Sequence, residues 1–184
     1  MDRPWVRNAV DAATRDALCE ALEVAVADPS ITVVDLHGHG PAFCSGGDLA
    51  EFGTARDPAE AHRVRVHRSP AALLQRCGPK VTAHLHGACV GAGIELAAFA
   101  GRVLAAPDTV IRLPETEMGL IPGAGGTASL PPRIGRERTA STRPSTPLRH
   151  FLGSSARRSP PSGESNRHTT VPDRHGLRAS GVVR

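Results

Sequence analysis

Gly87 to Ala100 reads GACVGAGIELAAFA, three spaced glycines opening an apolar run whose single charge is Glu95. It follows Val81-Thr-Ala-His-Leu85, a short β-branched and apolar stretch of the kind that forms a buried strand. Strand, glycine turn and apolar helix in that order predict that Gly91, Ala92 and Gly93 bare backbone N–H groups at the positive end of a helix ending near Gly101. Such an end stabilises an anion, and the missing side chains let a ligand approach the backbone closely. Glu95, one turn on from Ala92, brings a carboxylate to the same place. A glutamate in a first helical turn is equally an ordinary capping or dipole-complementing residue, so position alone leaves both readings open.

Outward from this unit, helix and strand patterns alternate. Asp11 to Ala27 sets Ala13, Ala17, Leu18, Ala21 and Leu22 at spacings of three and four, an amphipathic helix stopped by Asp28-Pro29. Ile31 to Leu36 is a β-branched run feeding the loop His37-Gly-His-Gly-Pro41. Asp48 is placed to cap a short helix, with Glu51 completing a capping box. A second helical pattern runs from Asp57-Pro58 towards Cys77 and must kink or divide at Pro70. Val103–Ala106 and Thr109–Leu113 predict two strands joined as a hairpin around Pro107-Asp108. The class is α/β.

Two further segments carry candidate chemistry. In Leu113-Pro-Glu-Thr-Glu-Met-Gly-Leu-Ile-Pro-Gly-Ala-Gly-Gly-Thr127, Glu115 stands at a strand end before a glycine loop; a solvated turn acid is its bland alternative, and Glu117 suits the surface better. In Gly40-Pro-Ala-Phe-Cys-Ser-Gly-Gly-Asp-Leu49, Gly46 and Gly47 bare N–H groups in a strand-to-helix loop. One N–H from this loop and one from the helix start would make an oxyanion hole.

Taken in order, AFCSGGDL, HGACVGAGIELA and LPETEMGLIPGAGGT resemble the crotonase superfamily, the enoyl-CoA hydratases and isomerases, over about Arg3 to Thr139. The resemblance implies a crotonase-like ββα spiral core in which the N–H groups of Gly47 and Ala92 polarise the thioester carbonyl of an acyl-CoA. Glu95 would help activate water for attack at the β-carbon, and Glu115 would handle the proton at the α-carbon. Gly46, Gly47, Asp48 and Leu49 would lie against the CoA moiety, which belongs to the substrate; no metal or separate cofactor is implied. The presence of both glutamates favours hydratase over isomerases that need only the one at the Glu115 position. A homotrimer or hexamer acting in fatty acid metabolism is the family expectation. Relatives usually begin with an additional strand pair and end with helices completing the acyl pocket, so residues 1–139 are expected to be a partial core, incomplete at both ends. Uncovered apolar surface and poor solubility would follow, and a non-catalytic fragment is the rival reading.

From Ala140 to Arg184, eight arginines face only Glu164 and Asp173, a net +6, which leaves −2 on residues 1–139 of the +4 total. This segment has no apolar period and is expected to be a disordered basic tail. Phe151 is its single aromatic residue, which argues against a nucleic-acid arm. Out-of-frame translation of GC-rich DNA would account for its Arg, Pro, Ser and Gly content, a reading suggested by Lys80 being the one lysine among the 22 basic residues. Cys19, Cys44, Cys77 and Cys89 form no C-x-x-C pair, and without a signal peptide or long apolar run the reading is a reduced, soluble, cytoplasmic protein with no membrane partner.

Rival motifs are weaker. Gly123-Ala-Gly-Gly-Thr-Ala128 matches a dinucleotide fingerprint, yet Pro122 precedes it and no acid follows at the required distance. His37, His39, His84 and His86 pair up on strands without the cluster a metal needs. Cys44 and Ser45 lack a nucleophile-elbow frame, and Cys89 suits core packing.

Overall fold

The computed structural model describes residues 1–140 and 177–180. Asp11 accepts from Thr14 N–H and starts α1 (Ala12–Ala27), which buries Leu18, Cys19, Leu22 and Ala25. β1 (Val33–His37) follows, beginning two residues later than the apolar run suggests. Then come α2 (Pro58–His67) and α3 (Pro70–Cys77), divided at Pro70 with Ser69 Oγ accepting from Ala72 N–H. α3 packs on α1, and Leu73, Leu74 and Cys77 complete that interface. Leu22 and Leu74 are each about 1% exposed, and burying a leucine so fully stabilises by about 2 kcal/mol.

β2 (Val81–Leu85), β3 (Ala88–Val90) and α4 (Ala92–Ala97) make a strand–strand–helix unit, and β4 (Arg102–Ala105), β5 (Val110–Arg112) and α5 (Gly126–Ser129) repeat it. β4, β2 and β1 lie parallel in one sheet, while β3 and β5 pair parallel in a second. The backbone of Cys44 pairs in parallel with that of Cys89 as an isolated β-bridge, both thiols staying free, so the turn beginning with β1 also visits the second sheet before reaching its helices. Three such turns form a ββα spiral. α6 (Pro131–Ile134) and α7 (Arg136–Ala140) follow α5.

Three expectations are corrected. β4 and β5 are not a hairpin: each pairs parallel with the strand of the preceding turn, because Ala106 N–H and Thr109 Oγ1 both donate to Leu85 O and carry the chain round a corner between the sheets. The glycine turn before α4 contains β3, a strand too short to show a period. Asp48 does accept from Ala50 N–H, but Glu51 accepts from Ala12 N–H at 2.9 Å and so caps α1 instead of closing a box on its own helix.

The expected tail disorder falls outside the described residues, except at Leu177–Ser180, where the structure differs. That stretch is β6, antiparallel to β1 with Leu36 opposite Leu177. Its backbone satisfies the open edge of β1, which local composition alone does not reveal.

On the helix side, Val34, Leu36, Val81, Ala83 and Leu85 are buried. The opposite face of β1 and β2 is half-exposed and polar, with His84 Nε2 2.8 Å from Asp35 Oδ1.

Candidate active site

The residues about the start of α4 are held by loops remote in sequence. Glu95 is 1% exposed, and its Oε2 accepts hydrogen bonds from Ala124 N–H and Gly126 N–H, each 2.8 Å. Ser129 Oγ donates to the Glu95 carbonyl at 2.8 Å, tying α5 to α4. A Cβ on Gly126 would lie 2.6 Å from Glu95 Cγ, so the loop closes on the carboxylate only because a glycine stands there. At the other end of α4, Arg133 donates to the carbonyls of Ala98 and Ala100, neutralising the negative end of the helix.

Glu115 opens a 3-10 turn, Glu115–Met118, a few residues beyond β5. A Cβ on Gly91 would come within 2.5 Å of Glu115 Oε1, and Gly91 has φ +49, so a side chain there is excluded by both space and backbone. Glu115 Oε2 is buried and has no hydrogen-bond partner among the described residues. Burial pushes the Glu95 carboxyl up to about 7, with the Glu115 charge adding to the rise and the Gly126 and Ala124 amides opposing it. Two adjacent carboxyls, one of them raised to titrate close to neutral pH, are the ingredients of paired acid and base chemistry.

The loop through Gly47 lies against this region. Cys44 N–H donates to Ala88 O and Val90 N–H to Cys44 O, which pins the loop to β3. On its other side Ser45 N–H donates to Arg7 O and Val10 N–H to Gly46 O. Ala92 is the first residue of α4, so its N–H belongs to the turn that has no acceptor inside the helix. Glu115 and Gly46 thus both approach Gly91, immediately before Ala92 at the start of α4.

Asp48 and Leu49 stand apart from them. Both Nη atoms of Arg3 donate to Asp48 Oδ2 at 3.1 Å while Oδ1 accepts from Ala50 N–H, so this carboxylate is engaged within the protein. Leu49 is 67% exposed. Glu117 is exposed as well.

Burial raises the Cys44 thiol to about 11 and the Cys89 thiol well above its ordinary value, which keeps both protonated and unreactive. His39 pairs with Asp2 and His86 with Gly40 O, and no group of three His, Cys, Asp or Glu side chains among the described residues is arranged to hold a metal ion. None of the helices among the described residues is long and apolar enough to cross a membrane.

Sequence reasoning missed the function of Ala124 and Gly126. GAGGTA resembles a weak nucleotide fingerprint, whereas the fold makes it the cradle of Glu95. The only local signal was the placement of a glycine loop soon after Glu115.

A ββα spiral with parallel strands stacked turn on turn defines the crotonase class of protein. The family model described as Enoyl-CoA hydratase/isomerase matches residues 1–142, and the chain belongs to that family. It is similar to the 2,3-dehydroadipyl-CoA hydratase of Escherichia coli, 35% identical over 136 residues, which cover 74% of this chain and 52% of the relative. It is also similar to an enoyl-CoA isomerase/hydratase of Mycosarcoma maydis, at 33% identity with 75% and 54% covered. Among solved structures, the enoyl-CoA hydratase from Thermoplasma volcanium superposes with a TM-score of 0.67 at 31% identity, covering 76% of this chain and 56% of that one. The chain spans about half the length of the curated relatives it matches.

Proposed function

We propose that the chain is an enoyl-CoA hydratase-like lyase that adds water across the C2–C3 double bond of a 2-enoyl-CoA. The hydroxyl of water goes to C3 and a proton to C2, so no oxidant, reductant or separate cofactor enters the balance. The Gly47 and Ala92 N–H groups polarise the thioester carbonyl, and each such donor contributes about 3 to 4 kcal/mol to the enolate-like transition state. Glu95 activates the water and Glu115 handles the proton at C2, while the loop from Gly46 to Leu49 lies along the CoA moiety. The observation that carries this reading is the buried Glu95 carboxyl, fixed by two amides with Glu115 beside it. Residues 1–139 are the core that performs the step, in a cytoplasmic homotrimer or hexamer.

A double-bond isomerase is the second reading, and it rests on Glu115 Oε2, a buried oxygen without a hydrogen-bond partner among the described residues and suited to moving a proton between C2 and C4. Crotonyl-CoA hydration and 3-enoyl-CoA isomerisation, assayed on the same preparation, discriminate the two. Hydration lost in both Glu95→Gln and Glu115→Gln supports the lyase; isomerisation that survives Glu95→Gln supports the isomerase. A cooperatively folded chain that binds crotonyl-CoA and turns over neither substrate would leave only an acyl-CoA-binding protein.

A further inference from the structure

The geometry points to Asn8 as the positioning residue that aims the Gly47 N–H. Asn8 is fully buried and left-handed, with φ +57, a conformation asparagine tolerates better than most residues. Its Oδ1 accepts from Arg3 N–H, and its Nδ2 donates to both His39 O and Ala42 O, all at 2.8 Å. All three contacts are internal: one fastens the segment before Asn8, and two fasten the start of the loop that leads to Gly47.

The end of that loop is fastened by the backbone Asn8 introduces. Val10 N–H donates to Gly46 O at 2.8 Å, and Asp48 N–H donates to Val10 O at 2.9 Å. Gly46 C=O and Gly47 N–H share one trans peptide plane, in which they point in opposite directions. Holding the carbonyl on Val10 therefore directs the Gly47 N–H away from Val10, towards the side on which β3 and the start of α4 lie. Gly46 supports that placement, since a Cβ on it would sit 3.3 Å from Val90 O. Asn8 touches none of the candidate reacting groups. It acts through the splint from Arg7 to Val10, which grips residues 39 to 48 at both ends.

The inference rests on the proposed oxyanion role of Gly47, so its test must separate the two. In the Glu115→Gln chain, which retains both amides, the carbonyl stretch of bound 13C-labelled crotonyl-CoA is recorded by infrared difference spectroscopy. A shift to lower frequency on binding is expected. Adding Asn8→Gly, which keeps the left-handed backbone and deletes the side chain, should remove much of that shift. Adding Asn8→Asp, which keeps the shape but replaces the donor amide with an acceptor, should do the same. In the otherwise native chain, both substitutions should lower kcat for hydration by about 10- to 100-fold, with KM changed less than about threefold. An unaltered carbonyl frequency in both Asn8 variants, with activity falling only in step with the melting temperature, would overturn the positioning role. No shift in Glu115→Gln itself would instead overturn the oxyanion reading on which it depends.

Discussion

Two glycine loops, residues 44–47 and 123–126, both close on α4 and use their amides in opposite ways. In the second, Ala124 and Gly126 turn their N–H groups onto one oxygen of Glu95, so the donors are already satisfied by a side chain. In the first, the splint through Val10 takes the Gly46 carbonyl and leaves the neighbouring N–H directed away from it. Similar composition thus gives a holder of charge in one place and, in the other, an N–H turned away from the segment that grips its neighbouring carbonyl. A glycine cluster signals only that a backbone comes close to something; what it approaches is set by the neighbouring turn of the spiral.

The contrast breaks most sharply at the carboxyls. Glu115→Gln and Glu95→Gln are each expected to lower kcat for crotonyl-CoA hydration by about 10²- to 10⁴-fold, read by steady-state kinetics on protein with an unchanged circular dichroism spectrum. A loss in neither variant would mean that the cradle around Glu95 is structural.

The cradle also makes stability depend on pH. Glu95 titrates near 4.5 when unfolded and near 7 when folded, so the native state holds a proton that the unfolded chain has released between those values. Its contribution is therefore full below about pH 4.5 and lost as pH rises through 7, a fall on the order of 3 kcal/mol. Urea melts at pH 5 and pH 8 should show this slope, and Glu95→Gln should flatten it and be the more stable protein at pH 8. Equal slopes in the two proteins would contradict the burial argument.

Gly126→Ala tests the close approach itself. Alanine gains about 1 kcal/mol of helix propensity over glycine at the start of α5, but its methyl must displace Glu95 and break both amide contacts. Overpacking of this kind costs about 1–3 kcal/mol, so a net loss in stability is expected together with reduced turnover. A stabilised, fully active variant would show that the loop has room to yield around Glu95.

The smallest effect belongs to the polar face of β1 and β2. His84→Ala should change stability by less than about 1 kcal/mol and leave hydration intact, because its contact with Asp35 is half-exposed to water. A large activity loss there would extend the site across the sheet.

Legibility followed the range of the interactions. α1, the division at Pro70 and β2 are written in local periods and caps, so each was readable from its own residues. The supposed hairpin of β4 and β5 was not, because two short strands around Pro107-Asp108 look the same whether they pair with each other or with the turn beneath. Glu51 is the same lesson at the scale of one side chain, standing at a capping-box position yet capping a helix 39 residues away.

The residue types of the site, their order and the α/β class were determined by sequence alone, because strand, glycine turn and apolar helix are decided over a few residues. Which amides reach which carboxyl was decided only by the tertiary structure. Ala124 and Gly126 come to Glu95, and Asn8 to the start of the Gly47 loop, through parallel stacking of successive turns, and contacts between residues some thirty positions apart have no local pattern to announce them.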